Sequence, residues 1–356
     1  MEYLPQVNLL LEALAYLGRR AAGNTAQHLL DRLRFNGVTE LERFRQQLEP
    51  IARLMEELEE AVPVEEETLR ALFGNLPGFP YNTIGSSSPV FLLLYPEVDR
   101  FRGSLEAILG AVRNSPPEVL AGNLALSLDV ADEGRASGPM SGDELSARVL
   151  DLSVPAESKV TILELYRRPG EVLDRAEPVL RQTLSCLEEA RLSRICEPFT
   201  RELRELGPEH FIAQTSGLSA RPELEYVLRP FLFGLDTNLS AQSPGEPVQV
   251  YCGILRRPLQ AMLSSTRGPE YQVYNAIKLL GDKTRFDILC YLKDRKAYGQ
   301  ELSARFGLSR NTIHHHMSKL LAARLVTCTV DGNRVYYTID RASVSELLDR
   351  QRDLLL

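Results

Sequence analysis

The residues that most limit the possible folds of this chain lie near its end, between positions 297 and 339. Leu302 and Phe306 are one helical turn apart, and Gly307 then supplies the backbone freedom for a sharp turn. Beyond the turn, apolar residues return at helical spacing: Ile313, Met317, Leu320 and Leu321. The spacing predicts two helices that meet at a tight corner, with Ser309 as the N-cap of the second.

The opposite face of that second helix carries small or hydrogen-bonding side chains and no acid. At about 100° per residue, these side chains are Asn311, His315, Ser318 and Ala322, flanked by Arg310, His314 and Lys319. A helix that only faces water usually mixes Glu and Lys. Donors and acceptors with a positive bias are what base edges and phosphates in a major groove require. The alternative is an ordinary solvated helix in a small helical domain.

Two alternating segments, residues 326–330 and 335–339, follow the second helix. They are separated by Asp-Gly-Asn at residues 331–333, and Gly and Asn tolerate the positive φ angles of a short turn. The pattern predicts a β-hairpin. Arg334 and Tyr336 lie on the opposite face of its second strand from the apolar residues, so we expect them beside a phosphate backbone.

A series of residues runs through this region in a specific order and spacing. Its members are Leu279-Leu280-Gly281-Asp282-Lys283-Thr284-Arg285-Phe286-Asp287-Ile288-Leu289, Leu302, Leu308-Ser309, Thr312-Ile313, His315-His316-Met317, Leu320 and Gly332-Asn333-Arg334-Val335-Tyr336-Tyr337. The series resembles the winged helix-turn-helix of the ArsR/SmtB family of bacterial transcriptional regulators. The resemblance covers roughly the last quarter of the chain. It implies a homodimeric DNA-binding repressor that releases its operator on sensing a signal, with the first and last helices of the domain forming the dimer interface.

The predicted DNA contacts divide into three groups. Base edges would be read by Arg310, Asn311, His314 and His315. Phosphates would be held by Thr312, Ser318 and Lys319. Arg334 would track the adjacent backbone or minor groove, with Ser309 and Tyr336 completing the interface.

Metal binding is predicted to be absent, although the resembled family is known for metal and metalloid sensors. Residues 300–306 have no cysteine and residues 343–356 have no histidine, so neither family site has its ligands. Three consecutive histidines, residues 314–316, point 100° apart on a helix and cannot converge on one ion. Cys290 and Cys328 fit core positions better than ligand positions. We therefore predict no metal and no cofactor.

The net charge of −7 over 356 residues is unevenly distributed. Residues 269–356 hold 14 Lys and Arg against 10 Asp and Glu, net +4, whereas the preceding residues hold 27 against 38, net −11. An acidic N-terminal part beside a weakly basic DNA-binding part should make DNA affinity strongly salt-dependent.

Composition and apolar runs predict a cytoplasmic protein. The longest strongly apolar run, residues 90–95, is far shorter than the ~20 residues of a membrane span, and no secretory signal is apparent. The five cysteines include no CxxC pair, which indicates reduced thiols rather than a disulfide framework.

The N-terminal three quarters read as mainly helical. Helices are predicted over residues 3–20, from Asn24, and over residues 41–62, the last opened by a Thr39/Glu42 capping box. The apolar seam of residues 41–62 fits packing inside its own domain better than a coiled-coil dimer contact. The glutamates of residues 56–67 are predicted to be a solvated face.

Two other segments of this part differ from the helical pattern. Residues 74–89 predict an irregular loop that either lines a ligand pocket or lies on the surface held by its aromatic residues. Residues 223–233 and 247–255 are rich in β-formers and predict a small antiparallel hairpin or sheet. Helices return over residues 155–200, interrupted by prolines.

The predicted fold class is therefore mainly α with small β. Residues 1–265 would form a mainly helical sensor or interaction domain, and residues 269–342 the winged helix-turn-helix. Residues 343–356 would form a C-terminal dimerisation helix, opened by a capping box of Ser343 and Glu346.

The predicted function is a sequence-specific transcriptional regulator, a homodimeric repressor whose N-terminal domain responds to a non-metal ligand or partner. Its partners would be an operator duplex, a second copy of the chain and a small-molecule effector, with no membrane. No Gly-rich phosphate loop, GxSxG elbow or HExxH motif is present, so no enzyme is predicted. The alternatives are an enzyme with an appended DNA-binding tail, and a protein-interaction module that touches no DNA.

Overall fold

The computed structural model of the chain describes residues 2–24, 26–35, 41–79, 84–98, 104–128, 138–207, 225–241, 247–259, 269–308, 310–323, 325–331 and 334–356. The described residues are 68% helical, with small sheets, which confirms the predicted class.

Sixteen helices have both ends within the described residues, and residues 256–259 are also helical. In chain order they are α1 Leu9–Ala21, α2 Ala26–Phe35, α3 Glu42–Ala61, α4 Glu66–Phe73, α5 Pro89–Val98, α6 Leu105–Arg113, α7 Pro117–Leu128, α8 Gly142–Asp151, α9 Ala156–Arg167, α10 Pro169–Cys186, α11 Glu189–Leu206, α12 Pro269–Leu280, α13 Lys283–Leu292, α14 Gly299–Phe306, α15 Arg310–Ala322 and α16 Arg341–Leu355.

Seven strands in the described ranges form two sheets. They are β1 Glu2–Tyr3, β2 Tyr226–Phe231, β3 Leu239–Ala241, β4 Val248–Gly253, β5 Ala297–Tyr298, β6 Val326–Asp331 and β7 Arg334–Ile339. The first sheet has the order β1-β2-β4-β3, and the second has the order β5-β7-β6.

The direction of strand pairing in the first sheet corrects a prediction. Strands β2 and β4 run parallel, with Tyr226 opposite Val248, and β1 is also parallel to β2. Only the short edge strand β3 pairs antiparallel with β4. The chain passes from β2 to the edge strand β3, which runs in the opposite direction, and then reverses again into β4. Strand β4 therefore runs in the same direction as β2, and the expected antiparallel hairpin of these two strands does not form.

The starts of α1 and α3 also differ from the prediction. Helix α1 begins at Leu9 rather than near Tyr3, because Asn8 caps it by accepting the Leu11 N–H at 3.1 Å. Residues 2–3 are left extended and pair with β2. Helix α3 begins at Glu42 after Leu41, with no side-chain cap, so the expected capping box is wrong; its other partner, Thr39, lies outside the described residues.

The apolar seam of α3 packs inside the chain, as predicted. Phe44, Leu48, Ile51 and Leu58 are each at most 1% exposed and belong to a cluster that extends from Val7 to Leu259. Helix α1 lies at the centre of this cluster and contacts α4, α5 and α10. The glutamates on the outer faces of α3 and α4, including Glu57, Glu60 and Glu67, are exposed as predicted.

A second apolar cluster runs from Ile288 to Tyr337 and shares no residue with the first. It comprises the inward faces of α13, α14, α15 and the second sheet. The described residues therefore pack around two separate cores.

The loop after α4 is held closely against α1. The side-chain oxygen of Asn75 accepts the Ser87 hydroxyl at 2.8 Å, which ties the two ends of the loop together. A Cβ added at Gly18 would lie 2.3 Å from the carbonyl oxygen of Ile84, so only glycine allows the loop backbone to lie this close to α1. Of the aromatic and aliphatic residues expected to hold the loop, Ile84 is buried, whereas Tyr81 lies outside the described residues. A role in ligand binding remains a prediction.

A buried carboxylate joins α1 to the turn after β2. Glu12 is 1% exposed, and its two oxygens accept the N–H groups of Leu232 and Phe233 at 2.7 and 2.8 Å. Arg19 lies about two turns after Glu12 in α1. Its side chain donates to the carbonyl of Phe233 and lies 3.3 Å from the Asp236 carboxylate. Burial raises the pKa of Glu12 to about 8, although both N–H groups and the Arg19 charge act in the opposite direction.

We expect Glu12→Gln to change the pH dependence of stability. A raised folded-state pKa means that the contribution of Glu12 is fully present below its unfolded pKa of about 4.5 and is lost as pH rises through about 8. The free energy of unfolding of the parent should fall relative to that of the variant by roughly 2–4 kcal/mol between pH 5 and 9. Urea unfolding of both proteins at pH 5, 7 and 9 measures this difference.

Glu118→Gln is the matched control, because that glutamate occupies the first turn of α7 and is exposed. A parent-minus-variant difference for Glu12→Gln that stays constant across this pH range would contradict the prediction.

Candidate nucleic-acid interface

The corner between α14 and α15 is fixed by local hydrogen bonds. Gly307 ends α14 in the left-handed region, with a φ of 64°. The hydroxyl of Ser303 donates to the carbonyl of Leu308 at 2.6 Å, and the Leu308 N–H returns to the carbonyl of Ser303 at 3.2 Å. These bonds set the direction in which the chain enters α15.

The inward face of α15 packs as the sequence predicts. Ile313, Met317 and Leu320 are each at most 1% exposed, and they meet Leu302 of α14 in the second core. This packing fixes the rotation of α15 about its own axis, because a helix with three fully buried side chains has one orientation that buries them all.

The outward face of α15 is described only in part. Lys319 is exposed and Thr312 is half-buried. Ser309 lies outside the described residues, as do the side chains of Arg310, Asn311, His314, His315 and Ser318, although the backbone from Arg310 to Ala322 is helical. Helical phase places the acid-free face away from the core, and the contacts of those side chains remain predictions.

The predicted hairpin is present, with β6 and β7 antiparallel and Val330 opposite Val335. Cys328 and Tyr337 face one another across the strands and are buried in the second core. Tyr336, on the other face of β7, is half-buried. The backbone of Arg334 pairs with Asp331 at the end of the hairpin, and the Arg334 side chain lies outside the described residues.

Strand β5 and the residue before it bring two side chains against Tyr336 that the sequence analysis does not predict. Tyr298 pairs with Tyr336 of β7, and the two rings meet edge to face with centroids 5.5 Å apart. The amine of Lys296 lies 4.6 Å from the centroid of the Tyr336 ring. The alternation of Lys296, Ala297 and Tyr298, with only the alanine buried, is a strand signal, but two paired residues are too short to stand out in a sequence.

A chain of polar contacts connects α12, α13 and α15. Asp282 caps α13 by accepting the Arg285 N–H at 3.0 Å. The Arg285 side chain donates to the carbonyl of Leu279 in α12 at 2.6 Å, and Nδ1 of His316 in α15 lies 3.8 Å from the Asp282 carboxylate. The Arg285 N–H holds the pKa of Asp282 below its usual value, with smaller contributions from the Arg285 and His316 charges. His316 is buried, with 9% of its surface exposed, and so lies on the inward side of α15.

The cysteines give one correction. Cys328 is buried as expected, but Cys290 is exposed on α13, because the inward face of that helix is taken by Ile288, Leu289 and Leu292. Within the described part of the chain, no three His, Cys, Asp or Glu residues are grouped so that they could hold a metal ion.

The last helix begins earlier than predicted. Asp340 directly follows β7 and caps α16 by accepting the Ser343 N–H at 3.0 Å, so the helix starts at Arg341. The expected capping box of Ser343 and Glu346 is wrong, because Asp340 supplies an acceptor three residues sooner. Helices α12 and α16 pack against each other and still expose large apolar side chains: Tyr274, Ile277, Leu348, Leu354 and Leu355.

The described helices include none with the length and apolar content to cross a membrane.

Comparison with known proteins concerns the C-terminal region alone. A family model described as "Bacterial regulatory protein, arsR family" matches residues 282–327. The regulator KmtR of Mycobacterium tuberculosis is 32% identical over 76 residues, which are 21% of this chain and 58% of that protein. The arsenical resistance operon repressor of Staphylococcus aureus is 32% identical over 72 residues, 20% of this chain and 69% of that protein. The transcriptional activator HlyU of Vibrio cholerae is 29% identical over 73 residues, 20% of this chain and 68% of that protein.

No solved structure matches the chain. The match to KmtR spans little more than half of that relative. Residues 282–327 begin at the Asp282 cap and contain α13, α14, the corner and all of α15, whereas α12, α16 and most of the hairpin lie outside the match. By these residues, the chain belongs to the ArsR family of bacterial regulatory proteins.

Proposed function

We propose that the protein is a DNA-binding transcriptional regulator and not an enzyme. Helix α15 enters the major groove and the β6–β7 hairpin contacts the adjoining backbone. The observation that carries the proposal is the burial of Ile313, Met317 and Leu320, since it turns the acid-free face of α15 away from the core. The relatives' names, which describe regulators, a repressor and an activator, support the same conclusion.

The proposed domains correspond to the two apolar cores. Residues 1–265 form the sensor or interaction domain, supported by an apolar cluster that ends at Leu259. Residues 269–342 form the DNA-binding domain, supported by the second cluster. Residues 343–356, which belong to α16, form the dimerisation helix.

The protein is proposed to be a homodimer through α12 and α16. Tyr274 is 57% exposed and Leu348 is 55% exposed, and both lie on helices that already pack together. An exposed apolar surface of this kind is covered when two copies meet about a twofold axis. The axis would set the separation of the two α15 helices, which must be about 34–36 Å to reach successive major grooves.

In this proposal the dimer is a repressor, and a non-metal ligand or partner of the N-terminal domain changes the spacing of the two α15 helices. The polar contacts from Leu279 through Arg285 and Asp282 to His316 support the proposal, because they join dimerisation helix α12 to α15. A shift of α12 would move α15 and weaken both half-sites together.

We expect Arg310→Ala and Asn311→Ala each to lower affinity for a duplex selected by the full chain about ten- to a hundred-fold, because each removes a base-edge contact. Selection of bound fragments from random duplex DNA, followed by fluorescence anisotropy titration, gives the measurement. The variants should also tolerate base changes that the parent rejects.

Arg70→Ala is the control, because Arg70 is an exposed arginine of α4 paired with Glu66 in the acidic part of the chain. Retention of no duplex by the parent protein, even at low salt, would overturn the proposed function.

We expect Leu348→Glu to weaken self-association at least about tenfold, because the new carboxylate would be buried in the proposed dimer interface. Sedimentation equilibrium of the parent and the variant measures the effect. Leu150→Glu, at an equally exposed leucine of α8, should leave the dimer unchanged. A parent that is monomeric at every concentration, or a variant that dimerises as well as the parent, would contradict a dimer through α12 and α16.

A further inference from the structure

An open cavity lies at the base of the β6–β7 hairpin, at the opposite end of the strands from the pair of Asp331 and Arg334. Its volume is about 710 Å³, and pockets for small molecules in proteins measure ~300–1,000 Å³. Three parts of the chain surround it: the residues that follow α13, the first residue of α16, and one end of the hairpin. The cavity includes no residue of α15, so it is separate from the proposed DNA-reading face.

Two threonines form the side of the cavity that the hairpin contributes. Thr327 of β6 lies opposite Thr338 of β7. The neighbouring pair, Cys328 and Tyr337, is buried in the second core, so the threonine pair faces the other side of the sheet. Within the described part of the chain neither threonine hydroxyl takes part in a hydrogen bond. Each hydroxyl can therefore donate its proton to a ligand.

Two positive side chains border the cavity where α13 ends. Lys293 and Arg295 follow the last residue of α13, and both are exposed. Among the described residues, the Lys293 amine has no ion pair and no hydrogen bond. The Arg295 guanidinium lies 4.6 Å from the centroid of the Tyr291 ring. That contact uses the face of the guanidinium and leaves its N–H groups available to an anion.

The two acids that line the cavity already accept hydrogen bonds from the chain. The Asp294 carboxylate accepts from the Arg341 guanidinium at 2.9 Å, and the same guanidinium donates to the carbonyl of Lys293 at 2.7 Å. The Asp340 carboxylate accepts the Ser343 N–H in the first turn of α16. The described lining holds three cations against these two acids, so its charge favours a negative ligand.

We propose that this cavity binds a small organic anion through a carboxylate or phosphate group. The anionic oxygens accept hydrogen bonds from the hydroxyls of Thr327 and Thr338 and pair with Lys293 and Arg295. A volume of about 710 Å³ has room for more than a bare phosphate ion, so the ligand carries a carbon skeleton as well. The inference goes beyond the proposed function, because the anion binds whether or not DNA is present.

Isothermal titration calorimetry of the full chain tests the site with citrate and with glycerol 3-phosphate. We expect at least one of these anions to bind once per chain at millimolar concentration, and uncharged glycerol to show no binding. Lys293→Ala and Arg295→Ala should each weaken that binding about three- to tenfold, because each removes a charged hydrogen-bond donor. Thr338→Val should also weaken it, since valine keeps the branched shape and loses the hydroxyl. Lys293→Arg should retain most of the affinity.

Lys283→Ala is the matched control, because its side chain is 87% exposed on α13 and its amine pairs with Asp287 outside the cavity. Thermal melts within about 2 °C of the parent show that the variants are folded.

Three results would refute the anion site. Neither organic anion binds, or glycerol binds as well as glycerol 3-phosphate, or the Lys293→Ala and Arg295→Ala variants bind the anion as tightly as the parent. If Lys293→Ala instead reduces the salt dependence of DNA binding while anion binding is unchanged, the cation contacts the DNA backbone and the anion site is again refuted. None of these results removes the proposed regulator, which fails only if the parent retains no duplex.

Discussion

The structure of residues 282–339 depends on the apolar contact between α15 and the elements around it. Ile313, Met317 and Leu320 are buried against Leu302 and the inward side of the hairpin, where Tyr337 lies. Burial of each such side chain contributes about 1.5–3 kcal/mol, so the contact outweighs any preference of the polar face for a different orientation. The orientation of α15 is therefore a consequence of core packing. In the proposed regulator the polar residues of α15 would contact DNA, and the buried apolar residues would set the orientation of the helix.

The N-terminal part uses a different kind of constraint. Its helices surround α1, which is buried along almost its whole length and carries Glu12 and Arg19 into the interior. Both side chains bond to the backbone of the turn after β2, a segment whose N–H and C=O groups have left the sheet ladder. The pair thus satisfies backbone groups that would be costly to bury alone. Residues 1–268 hold the acidic excess of the chain, net −11 against +4 for residues 269–356. In the proposed regulator, that excess would repel DNA from the N-terminal part and leave binding to the smaller basic part.

The parts that the sequence predicted well are those fixed by local spacing. The corner at Gly307, the buried face of α15 and the register of the hairpin follow from residues within a few positions of each other. The direction of pairing between β2 and β4 could not be predicted in this way, because alternation shows a strand but not its neighbour. The predicted start of a helix was wrong where two side chains could act as the N-cap, as Asp340 and Ser343 could for α16. The pairing of Tyr298 with Tyr336 emerged only from the register of a two-residue strand.

The contacts among α12, α13 and α15 explain how a short domain could respond to events at its edge. The Arg285 side chain is 11% exposed and contacts both the carbonyl of Leu279 at the end of α12 and the Asp282 carboxylate that caps α13. A movement of α12 relative to α13 would therefore break one of these two contacts. His316 lies behind the reading face of α15 and meets the same carboxylate. Interiors packed to this density do not deform smoothly and instead move as connected pieces. In the proposed dimer, a displacement of α12 would therefore move α15 as a rigid body. A small rotation at the dimer axis would then change the separation of the two α15 helices, which must match the spacing of successive major grooves. In the proposed mechanism, a signal received by the N-terminal part would need to move only α12 to change the position of α15.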